Sequence, residues 1–319
     1  MDNLLMDNLT VLTLNCPSDI NADILRLDQL HPVISGNKWF KLKGHLQQAS
    51  AVHPVITFGG AWSNHLIATA CATQQKGIPS IGIVRGEKPP VLSATLTAAA
   101  AYGMQLEFIS RREYAAKDEP AFLRRLTERY PGAYIIPEGG AGVTGIIGSE
   151  DILRVADTAG YTHILCAVGT GTMFLGLARA ALPGQKVIGV PILKGMDGLD
   201  AIECTAIGRS PGHSADPAAG LTATGHSSIL TADQRARCRV LSGYHFGGYA
   251  RHPRELIDFM NEFHCETGVP SDIVYTGKLF YAVRDSIRNN FFPGHSRLLI
   301  IHSGGLQGNQ SLPPGTLNF

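Results

Sequence analysis

Residues 36 to 43 read Gly-Asn-Lys-Trp-Phe-Lys-Leu-Lys, a lysine-bearing segment between an extended run, Asp23 to Leu27, and a helical stretch ending near Gln48. A lysine amine attacks a carbonyl only when its proton can be removed and its position is fixed, and a lysine so placed suggests Schiff-base chemistry. Lys38 meets the second condition best. It opens a helix whose apolar positions Phe40, Leu42, Leu46 and Ala49 recur at helical spacing, while Lys41 and Lys43 fall on other faces. Taken alone, the cluster reads as ordinary solvated lysines at a helix start.

Two further segments change that reading. Thr57-Phe58-Gly59-Gly60-Ala61-Trp62-Ser63-Asn64-His65 runs from an apolar strand, Val55 to Phe58, through paired glycines into an Ala-rich helix that stops at Gly77. Ser63 is placed as the N-cap, which satisfies a backbone donor and also leaves a hydroxyl, an amide and free N–H groups at a turn suited to an anionic ligand. Ile164 to Val168 is a second apolar strand, followed by Gly169-Thr170-Gly171-Thr172 and the apolar helix Met173 to Ala181. Strand, glycine turn and helix N-terminus together make a phosphate cradle, because glycine lets the backbone approach and the helix dipole favours oxyanions. A dinucleotide fold would place an acid at the end of the next strand, but Lys186 to Ile192 carries none, and no GK[ST] exists for a P-loop.

SGNKWFKLK, GGAWSNH, AVGTGT, DIVYTGK and IHSGG, in this order along almost the whole chain, resemble the pyridoxal-phosphate enzymes of the 1-aminocyclopropane-1-carboxylate deaminase and D-cysteine desulfhydrase family. The resemblance implies an α/β protein of fold type II, like the tryptophan synthase β chain, with two open, twisted, mostly parallel sheets covered by helices. It implies pyridoxal 5'-phosphate as cofactor and a small amino acid as substrate. Lys38 resembles the lysine that holds the cofactor and moves protons at the substrate Cα. Asn64 resembles the residue at the cofactor's phenolate oxygen, and Gly169, Thr170, Gly171 and Thr172 the phosphate cup. Ser303 would face the pyridine nitrogen. Ser63, Asn64, His65, Tyr244, Tyr249 and Tyr275 would surround the substrate, with Lys38, Ser63 and Tyr275 catalytic, although the residues do not say which of Tyr244 and Tyr249 points inward. Tyr275 is an acid/base or hydroxyl donor, and a phenol pKa of about 10 has to fall for it to act as a base. Deaminases of the family have a glutamate after the tyrosine matching Tyr275 and a leucine in the HxGG motif. This chain has Thr276 and Ser303, which is the desulfhydrase pattern, and a shallower electron sink suits β-elimination better than opening a cyclopropane.

The elements that must position these residues alternate. Strands are expected near 80 to 84, 104 to 109, 133 to 136, 163 to 168, 186 to 192 and 297 to 302, with helices over 91 to 102, 120 to 130, 252 to 266 and 278 to 290. That order predicts parallel sheets covered on both faces. The resemblance puts a small domain at 49–147, inserted into a large cofactor-binding domain formed by 1–48 and 148–319. Residues 195 to 231 are rich in Gly, Ser and Ala with poor periodicity, and read as a flap or oligomer contact.

Bulk composition fits a cytoplasmic enzyme of 319 residues. Lys+Arg 27 against Asp+Glu 26 leaves a formal charge of +1, so no electrostatic footprint for nucleic acid or anionic membrane exists. The six cysteines show no CxxC spacing, which points to a reducing compartment, and the 12 histidines form no paired motif for a metal. No apolar stretch reaches transmembrane length, and the acidic start MDNLLMDNLT is unlike a signal peptide. A homodimer is expected from the resemblance.

Overall fold

The computed structural model describes residues 11–14, 19–206 and 229–319. The ten residues of the acidic start, Cys16 and residues 207–228 of the expected flap lie outside the described residues.

The strands are β1 (Val11–Leu14), β2 (Asn21–Leu25), β3 (Val55–Gly59), β4 (Ser80–Arg85), β5 (Gln105–Ile109), β6 (Tyr134–Ile135), β7 (His163–Val168), β8 (Lys186–Pro191), β9 (Cys238–Val240) and β10 (Arg297–Ile301). The helices are α1 (Asn37–Gln48), α2 (Asn64–Gln75), α3 (Ala94–Ala101), α4 (Arg111–Ala115), α5 (Pro120–Arg129), α6 (Val143–Glu150), α7 (Thr172–Ala180), α8 (Leu199–Ala206), α9 (Ala232–Arg237), α10 (Arg254–Thr267) and α11 (Thr276–Arg288). They build two sheets. A six-stranded sheet has the order β1-β2-β10-β7-β8-β9, and a four-stranded sheet has the order β5-β4-β3-β6. Every pairing is parallel except β1 with β2, where Val11 faces Leu25 across an antiparallel edge.

Burial on both faces explains why the central strands are apolar throughout rather than alternating. All residues of β3 and of β7 are buried, as are Leu298 to Ile301 of β10. One core cluster joins α1, α7 and the six-stranded sheet, and a second packs α10 and α11 on that sheet's other face. The expected strands all occur, and α8 is a departure from expectation: eight residues of the supposed flap, Leu199–Ala206, are helical and bury Ile202 and Ala206.

This topology gathers the motifs. In open parallel sheets the residues beyond the carboxyl ends of the strands converge on a crevice, and here β3 delivers Gly59-Gly60, β7 delivers Gly169, and β10 delivers His302-Ser303. The loop before α1 lies directly on the last of these. Asn37 N donates to Ser303 O at 3.2 Å, and a Cβ at Gly36, whose φ is +62°, would stand 1.9 Å from the same oxygen. Only glycine permits that approach.

Candidate active site

Lys38 is the second residue of α1, partly buried, with Nζ donating to Asn37 Oδ1 at 3.3 Å. Burial draws its pKa down to about 8, against the field of Asp272, which favours the charged form. Lys41 departs from the sequence expectation of another, solvated face. It is only 3% exposed, and burial, followed by the charge of Lys38, holds its pKa well below the usual lysine value. The cause is the enclosure of α1, which buries Trp39, Phe40, Lys41, Leu42, His45 and Leu46 together and leaves only Lys43, Gln47 and Gln48 among its later polar residues toward the outside. Lys41 has no carboxylate partner among the described residues.

The turn from β3 into α2 places three expected residues. Ser63 caps α2, its Oγ accepting from Leu66 N at 3.3 Å, and the hydroxyl proton stays available to a ligand. Asn64 Nδ2 donates to Gly305 O at 3.2 Å, tying the turn to the end of the chain, while its Oδ1 is buried without a protein partner. His65 is buried against Thr57, with Nε2 and Thr57 Oγ1 2.8 Å apart, and Thr57 gives its own proton to Ile136 O at 2.8 Å. Nε2 must therefore donate, which leaves Nδ1 as a buried acceptor without a protein partner. Burial first, then the Lys38 charge, pushes the His65 pKa well down, so the ring is neutral.

Beyond β7, Gly171 adopts φ +82° as the N-cap of α7, a conformation that a side chain would disfavour. Thr170 Oγ1 and Thr172 Oγ1 lie 2.9 Å apart at this helix start, and no acidic residue occupies the first turn. Free N–H groups and two hydroxyls so arranged suit a phosphate. A Cβ at Gly169 would come within 3.0 Å of the Tyr275 ring, so the cradle and that phenol share a wall.

Tyr275 is the N-cap of α11, held from below by Asp272. The Asp272 carboxylate is fully buried and accepts from Val274 N at 2.9 Å, Tyr275 N at 3.0 Å, Thr276 N at 2.8 Å and Thr276 Oγ1 at 2.7 Å. Burial raises its pKa, and those donors oppose the rise. The Tyr275 pKa does not fall, as a base requires; burial, then Tyr249 and Asp272, drive it well above the phenol value. A phenol so raised keeps its proton. Tyr249, one cause of that rise, is 48% exposed and forms the open side. Tyr244 is not brought there. Its hydroxyl donates to Asp285 Oδ2 at 2.6 Å, ten residues and about 15 Å along α11 from Tyr275. Ser303, 7% exposed, follows β10 with its Oγ unpartnered among the described residues.

Sequence reasoning did not single out Asp272, Lys41 or Lys278. Asp272 had a signal, since an aspartate four residues before an apolar helical run is a capping pattern. The two lysines had none, because charge argues for the surface until the packing is known.

A flat aldehyde with a phosphate group and a ring nitrogen fits these residues: an amine of lowered pKa at Lys38, a glycine-threonine cradle, the Asn64 amide, whose second Nδ2 proton can donate to a phenolate oxygen, and the Ser303 hydroxyl. Fold and site together define an α/β protein with a lysine of lowered pKa near a phosphate-type cradle. The family model for pyridoxal-phosphate dependent enzymes matches residues 18–304, and the chain belongs to that family. It is 28% identical to the mitochondrial bifunctional D-cysteine desulfhydrase/1-aminocyclopropane-1-carboxylate deaminase of Arabidopsis thaliana over 92% of this chain and 74% of that protein. It is 23% identical to a D-cysteine desulfhydrase of Yersinia pestis over 88% of this chain and 86% of that one. The crystal structure of an ACC deaminase homologue superposes with a TM-score of 0.71 at 22% identity, covering 94% of this chain and 90% of the other, which shows the shared fold. No described helix is long and apolar enough to cross a membrane.

Proposed function

We propose that this pyridoxal-phosphate enzyme removes a β-substituent from a small amino acid, with D-cysteine as the leading substrate and pyruvate, ammonia and sulfide as products. The observation that carries the reading is the placement of Tyr275, whose ring lines the Gly169 cradle and whose backbone N–H is held by the buried Asp272 carboxylate. When bound, the cofactor supplies an electron sink for the charge left at the substrate Cα. Lys38, with its amine close to half free near pH 8, takes the Cα proton. Tyr275 donates to the departing thiolate, with Tyr249 beside it at the opening. Ser63 and the N-terminus of α2 hold the carboxylate, Asn64 and Ser303 meet the cofactor ring, and Gly169 to Thr172 anchor the phosphate. His65, neutral, buttresses the turn from Thr57. Thr276, the position of the deaminase glutamate, spends its hydroxyl on Asp272 and offers no carboxylate to a cyclopropane ring.

The second reading is a 1-aminocyclopropane-1-carboxylate deaminase, supported by the Arabidopsis relative whose name covers both activities. A panel of D- and L-cysteine, D-serine, β-chloroalanine and 1-aminocyclopropane-1-carboxylate, assayed for keto acid and sulfide, separates them. We expect kcat/KM for D-cysteine to exceed that for the cyclopropane acid at least about a hundredfold, the lower range of a lost acid-base contribution. Equal values, or preference for the ring substrate, would establish the second reading instead.

The Lys38 assignment makes a pH prediction. Below pH 8 the amine is mostly protonated, so covalent uptake of pyridoxal phosphate by the apoprotein should quicken by about tenfold per pH unit as pH rises, and level off above about 8. A rate that keeps climbing through pH 9, as for an ordinary lysine, would remove Lys38 from that role; stopped-flow absorbance reads it.

The four-stranded sheet, lying between residues 55 and 135, supports reading 49–147 as a smaller unit set into a larger one of 1–48 and 148–319. A cytoplasmic homodimer belongs to the same proposal, and sedimentation tests the dimer.

A further inference from the structure

Lys278 is three residues past Tyr275 on α11, and its side chain is fully buried. Its ammonium donates to two main-chain oxygens, His245 O at 2.9 Å and Gly248 O at 2.7 Å. Among the described residues no carboxylate lies within ion-pair distance of it, and Asp272 acts on it only through space. A buried charge satisfied by carbonyls of one loop is costly to keep, so the loop it holds is the place to look for its purpose.

That loop is not relaxed. Phe246 at φ +52° and Ala250 at φ +53° both adopt the left-handed conformation without being glycine. Such backbone persists where the surroundings over-determine it. Tyr249 stands between Gly248, whose oxygen Lys278 holds, and the strained Ala250, and its phenol is one of the groups that raise the Tyr275 pKa. Residues three apart on a helix share a face, so Tyr275 and Lys278 project from one side of α11 toward the same loop. The ammonium holds the loop by its backbone, at the residue just before Tyr249.

We propose that Lys278 is a positioning residue, whose ammonium grips the carbonyls of His245 and Gly248 and so fixes Tyr249 against Tyr275 at the open wall of the substrate pocket. The inference rests on the reading that this pair of phenols serves the substrate. It assigns the buried charge to the register of the pocket rather than to the core of the sheet.

The test is a double-mutant cycle in the cofactor-loaded protein with the substrate that the panel finds best. Lys278→Met should lower kcat/KM at least about tenfold, chiefly through kcat, and adding Tyr249→Phe to it should cost less than about twofold more, because the two changes act through one hydroxyl. Losses that multiply, or an unchanged kcat/KM in Lys278→Met, would overturn the proposal. Lys278→Gln keeps an N–H donor for one carbonyl and should fall between wild type and Lys278→Met; failure of both variants to fold would assign Lys278 to core stability and overturn the positioning role. Should wild type turn over no amino acid of the panel, the functional reading fails on its own, and amide exchange then decides the inference. Exchange over residues 243–251 at least about tenfold faster in folded, cofactor-loaded Lys278→Met supports it, and unchanged exchange overturns it.

Discussion

Lys38→Ala is expected to fold and to bind pyridoxal phosphate weakly through the cradle, yet to lose borohydride-fixable attachment and at least about a thousandfold of turnover, within the range of a positioned acid-base group. Three amines compete for the assignment, and the structure ranks them. Lys43 reaches Asp151 at 3.3 Å, an ion pair that turns it toward another element. Lys41 also has its pKa lowered by burial, but it is closed in, with its Cβ 3.2 Å from where a side chain at Gly140 would begin. Lys38 combines a pKa near 8 with partial exposure and a place on the rim shared by Ser303 and Asn37. Borohydride reduction followed by peptide mass analysis reads the outcome directly. A pyridoxyl mass on Lys41 or Lys43 in the wild-type protein, or full turnover in Lys38→Ala, would break the assignment.

The sequence disclosed the parts of this site that are local. A strand buried on both faces is a short apolar run wherever it occurs, so β3, β4, β7, β8 and β10 stand out, and the glycine turns that follow β3 and β7 announce themselves by type. Ser63 as N-cap of α2 is local in the same sense. What periodicity could not disclose depends on what packs against an element. Lys41 looks solvated along α1 alone and is buried because the helix is enclosed. Tyr244 and Tyr249 occur within six residues of each other in one aromatic loop, and only the pairing of Tyr244 with Asp285 separates them. The helix α8 was hidden by its Gly- and Ser-rich surroundings, although Leu199, Ile202 and Ala206 follow a helical spacing.

Asp272 is where the same non-local packing gives its largest expected effect on stability. Its carboxylate satisfies the N–H groups of Val274, Tyr275 and Thr276 and the Thr276 hydroxyl, all in the interior. Asp272→Ala strands three buried backbone donors at the start of α11, at a cost on the order of 4 kcal/mol. Asp272→Asn keeps one oxygen as acceptor and turns an NH₂ toward a donor, so its loss should be about half as large. The electrostatic consequence is separate and has a definite sign. Asp272 opposes the burial that lowers the Lys38 pKa, so removing the carboxylate lets that pKa fall further. The amine is then free at lower pH, and the pH at which cofactor uptake levels off should move below about 8 in Asp272→Asn. Thermal unfolding and stopped-flow uptake measure the two effects independently. An unchanged Tm with an unmoved plateau would mean that Asp272 neither holds the start of α11 nor acts on Lys38, and its part in setting the Lys38 proton would have to be abandoned.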